Sequence, residues 1–185
     1  MFTSRAVNRR RPAFTLVEML VSMGAGSVVM LAVCSTFFFF AKATISLSNY
    51  SDLDNASRNA LDTITRDIRQ MIQLDSYSSN ATTIRLDLLA TNGTLALVYD
   101  RPSKRLTRVY GTQSTVLLQD CDSLNFALFQ RNPMGGTYDQ YPAATNNLAT
   151  TCKLIQMSWI CSRKILGNTM NTESVQTAKI VIRKQ

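Results

Sequence analysis

Three patterns of hydrophobic and polar residues follow one another along the chain. The first covers residues 14–41, which are apolar or uncharged apart from Glu18. A helix of roughly 20 residues is enough to cross a bilayer, and this run is longer than that. We therefore expect a transmembrane helix over residues 14–41.

The second pattern, over residues 42–74, is amphipathic. Apolar residues recur at steps of three or four with aspartates and arginines between them, as on a helix with one buried face. This pattern predicts that the membrane helix continues into a second half lying on a soluble domain. The apolar positions are Ile45, Tyr50, Leu53, Ala56, Ala60, Ile64, Ile68 and Met71.

The third pattern has a period of two and extends through a β-rich region, residues 75–185. Residues 92–93 and 101–104 have the composition of hairpin turns. The expected fold class is α+β, with one long N-terminal helix packed on an antiparallel sheet. Strands are predicted at 82–90, 94–100, 105–110, 114–119, 123–130, 152–161 and 175–182.

The net charge of +8 is unevenly distributed. Four arginines precede the apolar run and leave 16 basic against 12 acidic residues in the rest of the chain. Basic residues before a span hold the N-terminus in the cytoplasm, so we expect the domain to be exported. Histidine is absent, which excludes a Ser-His-Asp triad and histidine metal ligands. We expect no enzyme, cofactor or metal.

Four cysteines permit one intrachain disulfide in the exported part. Cys34 lies in the apolar run, and Cys152 and Cys161 flank one predicted strand, which places them about 30 Å apart. That distance is far beyond disulfide reach. Any bridge should then involve Cys121, with Cys161 as its candidate partner, and free thiols are the alternative.

The N-terminus resembles that of type IV prepilins and pseudopilins. RRRPA followed by FTLVEML is similar to their class III leader and the start of their helix, although the family usually has glycine where this chain has Ala13. The resemblance implies that a prepilin peptidase removes residues 1–13, cutting between Ala13 and Phe14, and N-methylates Phe14. It also implies that Glu18 is an assembly residue, facing the new amine of its own or a neighbouring subunit.

Two other interpretations apply to this region. A secretory signal peptide would end at Ala41-Lys42-Ala43 and leave a chain starting at Thr44, but signal peptides have apolar cores of 7–15 residues and no use for Glu18. The alternative for Glu18 itself is a carboxylate that reaches back to the cytoplasmic interface.

The rest of the chain resembles J-type minor pseudopilins of type II secretion and related minor pilins of type IV pili. The similar segments are LDTITRDIRQ, the L-x-R of Leu106 and Arg108, and LLQDCDSLNFALF. The resemblance implies a subunit of the bacterial inner membrane that joins other pilins in or at the tip of a short filament. Its domain would lie in the periplasm or in an extracellular filament.

A tip adhesin or DNA-uptake pilin is the alternative function on the same scaffold. Residues 101–108 hold four basic residues, but a solvated hairpin explains them and nucleic acid is not favoured as a partner. The long segment 131–151 offers Tyr138 and Tyr141 as contacts for another subunit or for its own sheet. Asp120 and Asp122 are expected to be solvated charges rather than metal ligands.

Overall fold

A computed structural model describes residues 14–91, 93–136, 139–144, 147–164 and 173–182. The chain divides into two compact units, Met1–Thr44 and Ile45–Gln185. Helix α1, Leu16–Gln70, begins in the first unit and ends in the second. The expected α+β architecture, one long N-terminal helix with antiparallel strands packed on it, is confirmed.

In the first unit, every described side chain is exposed. By length and composition, α1 is the one helix in the described part of the chain that could cross a membrane. The hydroxyl groups of Ser27, Ser35 and Thr36 donate hydrogen bonds to carbonyl oxygens three or four residues earlier. The helix therefore satisfies these polar groups by itself, as an apolar surrounding requires.

In the second unit, α1 buries one face against the strands. The buried positions recur at steps of three or four, which confirms the amphipathic pattern. The face begins at Leu53, because Ile45 and Tyr50 are still 50% and 47% exposed. The buried residues of the helix are Leu53, Ser57, Ala60, Ile64, Asp67 and Ile68.

The described strands form two antiparallel sheets, whereas the sequence predicted one. The strands of sheet A are β1 (Gln73–Ser79), β2 (Thr83–Ala90), β3 (Gly93–Asp100), β4 (Arg105–Tyr110) and β5 (Gln113–Leu118), and they lie side by side in that order. Those of sheet B are β6 (Cys121–Gln130), β7 (Tyr141–Pro142), β8 (Cys152–Ser162) and β9 (Glu173–Val181), and their order in the sheet is β7-β6-β8-β9. A short helix α2, Leu148–Thr151, precedes β8.

Strand β1 was not predicted, and it lies partly where the helix was expected to continue to residue 74. The helix ends at Gln70, and the Ile72 N–H donates to the Leu89 carbonyl oxygen at 2.8 Å. This bond starts the pairing of β1 with β2. Leu74 is the one buried residue of β1, so its sequence, QLDSYSS, lacks the alternation that identifies a strand.

The two sheets meet where β5 leads into β6 through Gln119 and Asp120. Asp120 has a φ of 56°, in the left-handed region that aspartate tolerates better than most residues. Two hydrogen bonds join the sheets there. The Tyr99 hydroxyl donates to the Cys121 carbonyl oxygen at 2.8 Å, and the Cys121 N–H donates to the Lys104 carbonyl oxygen at 3.0 Å.

Helix α1 contacts both sheets through polar as well as apolar side chains. On sheet B, the Trp159 indole N–H donates to the Ser57 hydroxyl oxygen at 3.3 Å. On sheet A, Arg108 forms an ion pair with Asp67. One helix face thus fixes the position of each sheet.

Candidate functional site at the start of the helix

Thr15 and Glu18 form a capping box at the start of α1. The Glu18 N–H donates to the Thr15 hydroxyl oxygen at 3.2 Å, and the Thr15 N–H donates to Glu18 Oε2 at 3.0 Å. The Thr15 hydroxyl also lies 3.3 Å from the same carboxylate oxygen. Two N–H groups that the helix leaves without partners are therefore satisfied reciprocally.

The capping box fixes where the Glu18 carboxylate lies. Both bonds from Thr15 go to Oε2, and among the described residues Oε1 accepts no hydrogen bond. Oε1 is therefore available to a cation near the helix start. A carboxylate here is also favoured by the positive end of the helix dipole.

Glu18 is the single charged residue in the apolar run, residues 14–41. Insertion scales put the cost of a charged side chain at the bilayer centre at about 2.5 to 3.5 kcal/mol, and such residues usually have a partner. The Thr15 contacts supply hydrogen bonds but no opposite charge. A cationic partner would remove this cost.

Sequence reasoning identified Glu18 but did not identify Thr15. The signal was present, because Thr15-Leu16-Val17-Glu18 has the T-x-x-E spacing of a capping box before an apolar run. Phe14 lies just before the helix and is 77% exposed. Ala13, the other side of the expected cleavage site, lies outside the described residues.

Asp120 and Asp122 are exposed, and each forms a surface ion pair. Arg163 Nε lies 2.9 Å from Asp120, and Lys104 Nζ lies 2.5 Å from Asp122. Ser162 also donates to Asp122. Desolvation opposes ionisation of Asp122, but the bonds from Lys104 and Ser162 outweigh it and lower its pKa. The described residues contain no group of three metal-binding side chains.

Two of the four basic residues in segment 101–108 are bound to aspartates. Lys104 pairs with Asp122, as described above. Arg108 points to the helix and binds both carboxylate oxygens of Asp67, with Nε at 2.6 Å and Nη2 at 3.1 Å. The Arg108 guanidinium also lies 5.6 Å from the centre of the Tyr110 ring. This leaves less of the segment's charge for phosphate contacts.

Replacing Arg108 with methionine is expected to lower the free energy of unfolding by about 2 kcal/mol, because Asp67 then keeps a poorly solvated charge without its partner. The side chains of Asp67 and Arg108 are 7% and 27% exposed, so water reaches part of the pair. Urea unfolding of the full chain in detergent, followed by circular dichroism, measures the change. A double variant, Asp67→Leu with Arg108→Met, should recover most of the stability, and equal loss in both variants would contradict this interpretation.

The structure brings two of the four cysteines together. Cys121 and Cys161 are cross-strand neighbours on β6 and β8, while Cys152 pairs with Gln130 at the other end of β8. Cys34 is exposed on α1. Segment 131–151 contains β7 and α2. Its Tyr141 pairs with Gln130 in sheet B, and Tyr138 lies outside the described residues.

Comparison with known families identifies the N-terminal segment. The family described as prokaryotic N-terminal methylation motif matches residues 8–33. This match includes Phe14, Thr15 and Glu18 and supports a type IV pilin-like protein, either a pilin or a pseudopilin. Such proteins are structural subunits, processed by prepilin peptidase and assembled with other pilins. With the long apolar helix, the motif supports anchoring in the inner membrane. A search of curated proteins finds no match.

Proposed function

We propose, with the N-terminal methylation motif as premise, that this chain is a minor pilin or minor pseudopilin that packs its helix into, or at the tip of, a short type IV-like filament. Prepilin peptidase would cut between Ala13 and Phe14 and methylate the new Phe14 amine. The observation that carries the proposal is the Glu18 carboxylate, held at the start of an apolar helix with one oxygen available to a cation.

Cleavage would create that cation beside the capping box. Cutting before Phe14 leaves the Phe14–Thr15 peptide bond intact, so the Thr15 N–H can still donate to Glu18. The new ammonium at Phe14 is four residues before Glu18 and can face the carboxylate of its own subunit or of a neighbour. An ion pair between neighbours would set the axial register of one helix against the next.

The exposed apolar surface continues beyond the proposed membrane segment, residues 14–41. Past Lys42, Ile45, Leu47 and Tyr50 are 50%, 73% and 47% exposed. Lipid would not cover residues outside the bilayer, whereas neighbouring helices of a filament would. These side chains therefore support helix packing between subunits.

The proposed topology places residues 1–13 in the cytoplasm, residues 14–41 in the inner membrane and the remainder outside the cytoplasm. The arginines before the apolar run support this orientation. A minor subunit is favoured over a major one by the similarity of LDTITRDIRQ, the L-x-R hairpin and LLQDCDSLNFALF to J-type minor pseudopilins and related minor pilins. Asp67 of the first segment and Arg108 of the second form the helix–sheet ion pair.

Processing is tested by the mass of the N-terminal peptide. In membranes from cells with a prepilin peptidase, the chain should begin at methylated Phe14. Without the peptidase, the same chain should keep residues 1–13 and remain unmethylated. A chain beginning at Thr44 would instead identify a secretory signal peptide.

Partnership is tested separately by cross-linking. Cysteines introduced at Leu47 in a Cys34→Ser background should form cross-links to other pilins of the same machine and rarely to a second copy of this chain. Equal copy number with the major pilin would contradict a minor role.

A further inference from the structure

We propose that Cys121 and Cys161 form a disulfide in the exported protein, and that this bond covalently joins β6 to β8 at the place where the two sheets meet. The proposal rests on the export of the domain proposed above. It assigns a covalent modification to two side chains that the assembly function does not use.

The backbone register places the two cysteines opposite each other. Cys121 pairs with Cys161 at the start of β6 and the end of β8. The Cys121 N–H points away from β8 to the Lys104 carbonyl oxygen, while the Ser162 N–H donates to the Asp120 carbonyl oxygen. The pair is thus a non-hydrogen-bonded one, for which Cα atoms in a regular ladder lie about 4.5 Å apart. That spacing lies within the range of disulfides, about 4.4 to 6.8 Å. A register shift in β6 follows the pair, between Cys121 and Ser123.

Both side chains lie in the core, where Cys121 and Cys161 are 0% and 1% exposed. The neighbouring Cys161 thiol and burial raise the pKa of the Cys121 thiol, while the Cys121 and Ser57 side chains lower the pKa of the Cys161 thiol.

The reaction needs an oxidant, which we assign to a dithiol–disulfide oxidase of the exported compartment. Before the domain closes, the thiolate of one of the two cysteines attacks the disulfide of the oxidase, forms a mixed disulfide and releases one oxidase thiolate. The thiolate of the other cysteine then attacks the sulfur of the first and releases the second oxidase thiolate. Two electrons and two protons pass from the cysteine pair to the oxidase, which leaves as a dithiol.

Burial of both sulfur atoms sets the order of events. An oxidase cannot reach them in the folded domain, so the bond must form before α1 closes over sheet B. For the same reason, a reductant should open the bond only after the domain unfolds. The bridge closes the chain segment 121–161, which includes β6, β7, α2 and all of β8 except Ser162.

Cys152 provides an internal control on the same strand. It is 2% exposed, and burial raises its pKa to about 11. Its partner across the sheet is Gln130, and neither Cys121 nor Cys161 is its neighbour. Cys152 should therefore remain a thiol under conditions that oxidise the pair.

Counting thiols in acid-trapped, denatured full-length chains tests the proposal. Without reductant, a maleimide reagent should label two of the four cysteines, Cys34 and Cys152, and after reduction it should label all four. The variant Cys121→Ser should show three reactive thiols without reductant. The control Cys152→Ser should show one without reductant and three after reduction. Peptide mass should identify the 121–161 linkage as lighter by two hydrogen atoms.

Export is measured in the same cells, so that a failure of the proposed disulfide can be distinguished from a failure of the proposed export. Protease added to spheroplasts should degrade the domain if it is exported. An exported domain with four reactive thiols would overturn the disulfide. If the domain is protected, export fails, and the purified full chain in a glutathione redox buffer decides the disulfide. There, unfolding and refolding should yield the 121–161 bond, and refolding with four free thiols would overturn it.

Thermal unfolding measures the consequence of the bond. The oxidised full chain should unfold about 8 °C above the reduced chain, because the bridge restricts the unfolded ensemble. Cys152→Ser should retain this difference between oxidised and reduced samples, and Cys161→Ser should abolish it. The same midpoint for oxidised and reduced wild type, with the bond present by mass, would contradict its role in joining the strands.

Discussion

Replacing Glu18 with glutamine is expected to lower incorporation of the chain into filaments about 30-fold, which corresponds to the loss of about 2 kcal/mol from one charge-assisted contact. Glutamine keeps the shape of the side chain and can still complete a capping box with Thr15. It cannot form an ion pair with the Phe14 ammonium of a neighbour. The measurement is the amount of chain in sheared filaments relative to the amount in membranes.

The matched variant is Thr15→Val, which removes the cap and keeps the charge. Loss of a threonine cap costs about 1 kcal/mol, so incorporation should fall by no more than about 5-fold. Both variants should insert normally, since neither adds charge to the apolar run. Wild-type incorporation of Glu18→Gln would show that the carboxylate charge has no part in docking, and a larger loss in Thr15→Val would show that the cap matters more than the charge.

Replacing Trp159 with alanine is expected to lower the free energy of unfolding by about 3 to 5 kcal/mol, as for other large aromatic residues removed from cores. The indole is 1% exposed and donates its N–H to Ser57 on α1. The variant therefore loses apolar packing and a helix–sheet hydrogen bond together. Because total stability is about 5 to 15 kcal/mol, such a loss should leave the domain marginally folded. Urea unfolding of the full chain, followed by far-ultraviolet circular dichroism, measures it.

Trp159→Phe separates packing from hydrogen bonding. Phenylalanine keeps most of the apolar volume, and Ser57 keeps its contact with the Ser174 hydroxyl at 3.4 Å. Its cost should be about 1 to 2 kcal/mol. The chain has one tryptophan, so the fluorescence of the wild type reports unfolding at this position directly. Equal loss in both variants would mean that the hydrogen bond, rather than the volume, holds the helix on sheet B.

Most of the strands could be predicted because their period of two is a local property. The predicted range 105–110 coincides with β4. The predicted ranges 82–90 and 94–100 differ from β2 and β3 by one residue at one end, and 114–119 is displaced from β5 by one residue. Strand β1 was missed because its pairing with β2, rather than its own composition, makes it a strand. Its N-terminal neighbour Ile72 is tied to Leu89 by a backbone hydrogen bond, which no periodicity reveals.

The division into two sheets could not be predicted from the same patterns. Strands of either sheet alternate apolar and polar residues in the same way, so the period does not say which strand pairs with which. The decisive features are the left-handed turn at Asp120 and the pairing of β6 with β8, more than 20 residues later in sequence. Pairing over that separation depends on how the whole domain packs.

The polar contacts of the helix also include one that the sequence predicts and one that only the fold creates. Glu18 and its capping partner Thr15 are three residues apart, and their spacing alone places them on one helical turn. Asp67 and Arg108 were visible only as charged members of two separate segments. Their ion pair forms because α1 packs on sheet A. The two residues are 41 positions apart in the sequence, and Arg108 Nε lies 2.6 Å from the Asp67 carboxylate.

The sequence by itself determined the apolar helix, its single carboxylate, the amphipathic face and most of the strands, because each depends on residues within a few positions of one another. The tertiary structure decided which strands share a sheet, which polar residues are buried on the helix, and that Cys121 lies opposite Cys161 rather than Cys152. These features depend on contacts between distant segments, and such contacts form when apolar surface from the helix and both sheets is removed from water together.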